Sequence, residues 1–479
     1  MTLLPILVFW ALLAWGMAGP RSVLLYLFFA TMPFGAFAVL PTGLTGGLTF
    51  TSTPMVALAL VLRTFVRPGG AGALLGMALR PERLLLLAAF GVVAVIVTLF
   101  MPRLFAGVIE VVPVRGDLDQ TVPLRPNQQN ISQLAYLLIA LASVFAFARL
   151  LRDPRLRQHA YRALCLGGAV AVLTGLLDLA SGSLPLNGLL APFRTASYAL
   201  AVDVEVLGGK RVVGLMPEAS AYGGLCLGFL CAIHFYRRAM WQGAVRDIAA
   251  PLLVLALIGC IWLARSSGAY VGFAVFVMLA VVDWCLRLGA RGRGARRGVA
   301  GELGFVVVLV IGLCLVVIVT PHALDPLYEL VDRMVLQKGS SESFEQRGMW
   351  RRVAFEGLLS SQGLGLGLGS ARTSSSLVAI LSGTGLLGGV LYYGFFLQCL
   401  LRTGRDRTGE ASFVFSAFRF AAIPGFVVGL MVGSADFGGM LAFGFGLVSA
   451  LADEVRSAAR RRPVRHAPLW GPENALAVP

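Results

Sequence analysis

Apolar stretches about as long as a bilayer is thick recur from one end of this chain to the other, and that recurrence constrains the fold more than any other feature. The runs are Leu3 to Ala18, Ser22 to Leu40, Pro54 to Val66, Leu84 to Phe100, Leu134 to Phe147, Ala163 to Ala180 and Ala219 to Phe235. They continue with Ile248 to Ala264, Ala269 to Leu286, Leu303 to Thr320, Leu377 to Leu401, Phe413 to Val432 and Phe437 to Ala452. A segment in lipid must satisfy its backbone polar groups internally, and runs of this length do so as helices. With 57% of 479 residues hydrophobic and 13% charged, no soluble core hides this much apolar surface. The expected fold class is all-α: a polytopic transmembrane helical protein, one membrane domain over residues 1–479, with about 12–13 spans by the length criterion.

The formal charge of +16 raises the question of nucleic acid, but the placement of the arginines answers it differently. They cluster in short segments beside apolar runs: Arg152, Arg155 and Arg157; Arg237 and Arg238; Arg291, Arg293, Arg296 and Arg297; Arg402, Arg405 and Arg407; and Arg460, Arg461 and Arg462. All can share one side, as the positive-inside rule requires, so the bilayer is the expected partner and nucleic acid is not. This side is read as the cytoplasm and includes the basic tail, residues 453–479. Outside lie residues 101–133, 181–218, 265–268, the large loop 321–376, and 433–436. The seven cysteines fall within or at the edges of apolar runs with no metal-type spacing, and read as core residues. The N-terminus has no basic leader segment, so its first run reads as a retained helix.

The outer loops carry the unusual residues. In the largest, Ser343-Phe-Glu-Gln346 reads as a capping box that starts a helix running to about Leu359, with Arg347 and Arg351 on one face. Gly363, Gly365, Gly367 and Gly369 then form a flexible strip leading through Ser370, Arg372, Ser374 and Ser375 into the next membrane helix. The run Arg211-Val-Val-Gly-Leu-Met-Pro-Glu218-Ala-Ser220-Ala-Tyr222 stands at the mouth of another helix, where Glu218 and Ser220 read either as capping groups or as functional ones. Arg265-Ser266-Ser267-Gly268 joins two apolar helices with almost no loop and holds a guanidinium at the membrane boundary. A snorkelling arginine bound to lipid phosphate is its bland alternative.

Arg211, Arg265, Arg347, Arg351 and Arg372 thus supply cations on one side, and helix N-termini near Ser220 and Ser376 add backbone donors, an inventory suited to a diphosphate. Other motifs are discounted. The glycine strip lacks the preceding strand of a dinucleotide site, Asp117 and Asp119 read as a solvated pair, and His322 reads as a cap. Asp436 is a weaker acid candidate in the last outer turn, and Arg419 is a charge inside an apolar run.

Four segments in order resemble the polysaccharide polymerase and O-antigen ligase superfamily of bacterial inner-membrane enzymes. They are Gly214-Leu-Met-Pro-Glu218-Ala-Ser220-Ala-Tyr-Gly223, Arg265-Ser-Ser-Gly-Ala-Tyr270, the Arg347 helix with its glycine strip, and Gly369-Ser-Ala-Arg372-Thr-Ser-Ser-Ser376 leading into Leu381-Ser-Gly-Thr-Gly-Leu-Leu-Gly388. The resemblance covers roughly the second half of the chain and implies a GT-C-like membrane glycosyltransferase working in the periplasm on undecaprenyl-diphosphate-linked oligosaccharide, without metal, cofactor or nucleotide sugar. The resemblance implies arginines at the diphosphate; the candidates here are Glu218, Arg265 and Arg347 as catalytic residues, with Glu218 as base or acceptor-positioning residue, and Arg211, Ser220, Tyr222, Ser266, Arg351, Ser370, Arg372, Ser374 and Ser375 as substrate-binding residues. A chain-length regulator and a flippase are the partners such an enzyme has. The family's ligases carry a histidine where this chain has Ser374, a departure that tilts the expectation toward a Wzy-type polymerase of exopolysaccharide or O-antigen. A ligase acting on lipid A core or protein, a transporter or lipid flippase, and a non-enzymatic assembly subunit are the alternatives.

Overall fold

Helices dominate the computed structural model, which describes residues 3–40, 49–66, 68–197, 200–201, 205–206, 209–289, 304, 342–404 and 409–461. They are α1 (Leu3–Ala18), α2 (Arg21–Thr31), α3 (Ser52–Phe65), α4 (Gly70–Ala78), α5 (Leu85–Leu104), α6 (Gln128–Leu150), α7 (Pro154–Ala180) and the short α8 (Asn187–Leu190). There follow α9 (Ala219–Tyr236), α10 (Ala250–Leu263), α11 (Ser267–Leu288), α12 (Glu342–Ser360), α13 (Ser376–Leu400), α14 (Glu410–Gly429) and α15 (Gly438–Arg461). Two-residue antiparallel hairpins pair β1 (Glu110–Val111) with β2 (Val122–Pro123) and β3 (Glu205–Val206) with β4 (Gly209–Lys210).

Among the described residues, nine helices are long and apolar enough to cross a membrane: α5, α6, α7, α9, α10 with the π-helical turn before it, α11, α13, α14 and α15. The pair α3 and α4 together passes the same test but bends by 106°, and α1 and α2 are shorter apolar helices. The chain is therefore an all-α polytopic membrane protein. The expected run to Leu40 stops at Thr31, where Met32 and Pro33 begin a turn. Leu303 to Thr320 apart from Gly304, the arginine segment from Arg291 to Arg297, Arg405, Arg407, His322, Cys314, residues 321–341 of the large loop and the tail from Arg462 lie outside the described residues.

The interior is set by aromatic residues and glycines. Helix α9 lies at the centre, against α7, α10, α11 and α14, while α6 packs on α15, α2 on α7 and α5 on α13. Phe28, Phe29, Phe147 and Phe443 form an edge-to-face cluster joining α2, α6 and α15. At Gly446 an added Cβ would lie 2.3 Å from Phe147, and at Gly167 it would lie 2.6 Å from the Phe29 carbonyl, so both contacts depend on a missing side chain.

The two ends of the bundle differ in chemistry. At one, where α6 ends and α7 starts, Arg83 and Arg152 pair with Asp453 at 2.7 and 2.5 Å, and Arg157 pairs with Glu410 and Glu454 at 2.8 and 3.0 Å. Arg238 and Arg287 share Asp283 at 2.6 and 3.0 Å. Arg419, expected within an apolar run, belongs to this end: its guanidinium donates to the carbonyls of Leu400 (2.7 Å), the last residue of α13, and Arg402 (2.6 Å), just beyond it. The other end carries the outer loops.

Candidate functional site

The cleft at that other end is framed first by a buried acid. Asp178, near the end of α7, is wholly buried and pairs with Arg194 at 2.8 Å and Lys210 at 3.0 Å. Its second oxygen accepts the backbone N–H groups of Val213 (2.7 Å) and Gly214 (3.1 Å). Gly214 takes a positive φ of 59°, which turns the chain toward α9. One carboxylate thus fixes the loop that carries Arg211 and Glu218.

The glycine strip builds the opposite wall, and it is packed rather than flexible. Gly363, Gly365, Gly367 and Gly369 all have positive φ, and a Cβ on Gly365 would lie 2.5 Å from the Gly385 nitrogen. Helix α13 breaks at Gly385, whose φ is 73°. A continuous helix would pair the Ser382 carbonyl with the Leu386 N–H. Here Ser382 O accepts from Leu366 N–H (2.7 Å) and Leu386 N–H donates to Gly363 O (2.9 Å), so the strip repairs the break. Asn130 of α6 then donates to Leu368 O (2.6 Å) and to the Ser370 hydroxyl (2.8 Å), pinning the strip from the other side.

Between these walls lies a cleft of about 570 Å³. Arg211, Glu218, Ser220, Ser266, Arg347, Arg372 and Ser374 line it, together with Gln346, Trp350, Ser382 and Gly383 just before the break, and Asp436. Arg372 lies over the Trp350 ring at 4.3 Å, donates to Val114 O (3.2 Å), and has a buried Nε with no hydrogen-bond partner among the described residues. Glu218 is the N-cap residue of α9 but makes no side-chain cap bond; its exposed carboxylate accepts from the Ser220 hydroxyl. The capping reading of Glu218 and Ser220 is thus not the bonding the structure has. The Ser374 hydroxyl donates to Arg347 O at 2.7 Å, tying the start of α13 to α12.

Among the described residues no carboxylate lies within ion-pair distance of Arg211, Arg347 or Arg372. Burial lowers the pKa of the Arg211 and Arg372 guanidinium groups, Glu218 opposes that shift at both, and Arg347 adds like-charge repulsion. Asp436 is partly open to solvent, yet protein encloses its carboxyl on enough sides that desolvation pushes it up to about 6, against a hydrogen bond from Gly438 N–H.

Several expected site residues lie elsewhere. Tyr222 is buried on the far side of α9, its hydroxyl donating to Ala171 O at 2.9 Å, so it packs α9 on α7 and does not reach the cleft. Arg351 lines a separate hollow with Glu345, Arg352 and Phe355. Ser370 is buried in its bond from Asn130, and Ser375 stands at the α13 N-cap position without a side-chain cap bond. Arg265, half-buried in the α10–α11 turn with a left-handed φ of 45°, stands beside Tyr270, while Ser266, Ser267 and Gly268 form the wall itself. Helix α12 begins at Glu342, so Ser343 is inside it and not its cap. The Asp117 carboxylate accepts Asp119 N–H (3.0 Å) within the β1–β2 connection, and Asp119 accepts from Gln346, which docks α12 on that connection.

Trp350 and Asp178 are absent from the sequence-based site. An acid inside the apolar run Ala163 to Ala180 was a visible signal for the second; Trp350 carried none beyond its place three residues after Arg347. Chemically, the cleft offers three guanidinium groups to an anion and a carboxylate within their field. Comparison with known protein families, curated proteins and solved structures yields no match for this chain.

Proposed function

We propose that this chain is a membrane-embedded, GT-C-like glycosyltransferase that polymerises undecaprenyl-diphosphate-linked oligosaccharide repeat units into exopolysaccharide or O-antigen. The observation that carries this reading is the convergence of Arg211, Arg347 and Arg372 with Glu218 in one cleft, at the end of the bundle opposite the paired arginines. With the arginine-rich end in the cytoplasm, as the positive-inside rule predicts, the cleft opens to the periplasm of a bacterial inner membrane and the C-terminal tail is cytoplasmic.

In the reaction, an acceptor sugar hydroxyl attacks the anomeric carbon of the donor glycan. The carbon–oxygen bond to the diphosphate breaks, and its electron pair leaves with the undecaprenyl diphosphate. Arg211, Arg347 and Arg372 hold the diphosphate and stabilise the charge that grows on it, with Arg265 supporting them from the boundary turn. The Glu218 carboxylate takes the hydroxyl proton, and Ser220 orients it through the bond the two already share. A hydroxyl at Ser374, bonded to the α12 backbone, supports a polymerase over the histidine-bearing ligases.

The test is the lipid-linked glycan profile of cells lacking the protein. Cells complemented with Glu218→Gln at the wild-type protein level should accumulate single repeat units on the lipid carrier, and wild type should restore long polymer. Long polymer made by Glu218→Gln removes Glu218 from the mechanism. Full-length polymer stranded on the carrier in the null strain means a ligase, and an unchanged profile means that the chain is not this enzyme.

A further inference from the structure

At the arginine-rich end, α2, α3 and the α6–α7 connection enclose a second hollow, of about 360 Å³. Its floor is apolar: Leu24 and Leu60 are each 1% exposed, and Leu150 is buried beside them. Its rim carries Arg21, Arg63, Arg149 and Arg152 against a single acid, Asp153. Asp153 caps α7 through one oxygen, accepting Arg155 N–H at 2.8 Å, and Arg152 pairs at 2.5 Å with Asp453, which it shares with Arg83. That leaves three guanidinium groups with no carboxylate partner among the described residues.

Two of the three are held in place by neutral groups. Arg63 donates to the carbonyls of Gly16, Gly19 and Pro20 at the end of α1, and Arg149 lies 5.7 Å over the Phe65 ring and donates to Gly70 O at 3.4 Å. Neutral partners fix a guanidinium without cancelling its charge. Three cations, two of them fixed, repel one another over an apolar floor, and the single Asp153 carboxylate at the rim offsets them only in part, so an anion between them is favoured. Elsewhere at this end, Arg83, Arg157, Arg238 and Arg287 have their acids within the fold.

We infer that this hollow binds the phosphate head group of an anionic phospholipid from the leaflet on the arginine-rich side. Arg21, Arg63 and Arg149 would hold the phosphate, and the acyl chains would extend from the hollow into the surrounding bilayer. An inorganic phosphate satisfies the same donors, but the hollow lies at the end of a membrane bundle, where phospholipid head groups are concentrated, so the lipid is the better occupant. The site depends only on the chain being in a membrane, and stands whether or not the cleft is a glycosyltransferase site.

The test uses the full chain purified in neutral detergent, with phosphatidylglycerol, phosphatidylcholine or inorganic phosphate as probes, read by native mass spectrometry and by thermal unfolding. Phosphatidylglycerol should be retained and should raise the unfolding midpoint, while the other two probes should do neither. Arg21→Gln with Arg149→Gln should weaken phosphatidylglycerol binding by roughly fivefold per arginine, and Arg115→Gln, at the opposite end, should leave it unchanged. Arg21→Gln alone changes an exposed side chain and keeps the comparison available if the double variant does not fold. Equal retention of phosphatidylglycerol by the variants, or equal stabilisation by phosphatidylcholine, overturns the site. Stabilisation by inorganic phosphate alone makes it a small-anion site and overturns the lipid.

Discussion

The same side chain does opposite work at the two ends of this molecule. At the arginine-rich end Arg157 is 2% exposed and meets two carboxylates, Glu410 and Glu454, while Arg83 and Arg152 share Asp453. At the cleft end Arg211, Arg347 and Arg372 have no carboxylate within ion-pair distance among the described residues, and Arg372 rests on a tryptophan face. A paired buried charge holds helices in register. A charge held by aromatic and backbone groups keeps its field for something else. The presence of arginine therefore says little about function; the identity of its partners decides it.

The largest effect should come from the one place where the cleft end behaves like the other. Asp178 satisfies two cations and two backbone N–H groups at once. Asp178→Ala leaves all four without it and should cost about 3–5 kcal/mol. Asp178→Asn, which keeps the acceptor but loses the charge, should recover part of that. Urea or thermal unfolding in detergent measures both, and an Asp178→Ala chain as stable as wild type would show that the loop carrying Arg211 and Glu218 is held some other way.

Next in size is a contrast between two arginines. Arg157→Ala should destabilise by about 3 kcal/mol, at the low end for a broken buried pair because Glu410 and Glu454 are partly exposed and can rehydrate. Arg372→Ala gives up a cation–π contact and one hydrogen bond, about 1 kcal/mol, yet should lower polymer formation about a hundredfold if its charge stabilises a departing diphosphate. Stability and polymer yield measured on both variants separate the roles. Equal destabilisation by the two would mean that the cleft arginines are structural as well.

The sequence made the spans legible because lipid demands unbroken apolar runs, and α1, α5, α9, α10, α11 and α13 fall close to those expected. Helix ends were less legible where polar residues extend a helix beyond the bilayer. Helix α6 starts six residues before its apolar run, under an Asn127–Asn130 capping box that hydropathy does not register. Of the expected site, Arg211, Glu218, Ser220, Ser266, Arg347, Arg372 and Ser374 meet in one cleft, from segments up to about 160 residues apart in the chain. Arg351 does not, although it is four residues from Arg347. Gln346, Arg347 and Trp350 face the cleft, and at about 100° per residue Arg351 is turned roughly 90° from the middle of that face. Tyr222 fails for the same reason, two residues beyond Ser220 and across the helix. The strip of glycines was visible, but its partner, the break at Gly385, is a tertiary fact: two segments each lacking a hydrogen-bond partner complete each other.

The smallest effect expected, because solvent reaches the partly open Asp436 side chain and reduces the cost of its charge, is also the one that most directly probes how the cleft treats charge. Asp436 lines the cleft, and desolvation raises its carboxyl from 3.8 to about 6. The folded chain therefore holds this proton more tightly than the unfolded chain does. Between about pH 4 and about pH 6 the contribution of Asp436 to stability falls as pH rises, and above that window it is constant because both states are ionised. Asp436→Asn removes the cost of ionising the group, so the variant should gain on wild type through this window and keep a fixed advantage at higher pH. Unfolding midpoints of the two chains between pH 4 and pH 7 give the difference. A difference that stays flat across the window would mean that the carboxyl is solvated like a surface acid, and the cleft would then be far wetter than the burial of Arg211 and Arg372 implies. A difference that grows until about pH 6 would mark the cleft as a place where a cation is held without a partner and an anion is resisted unless it meets the arginines.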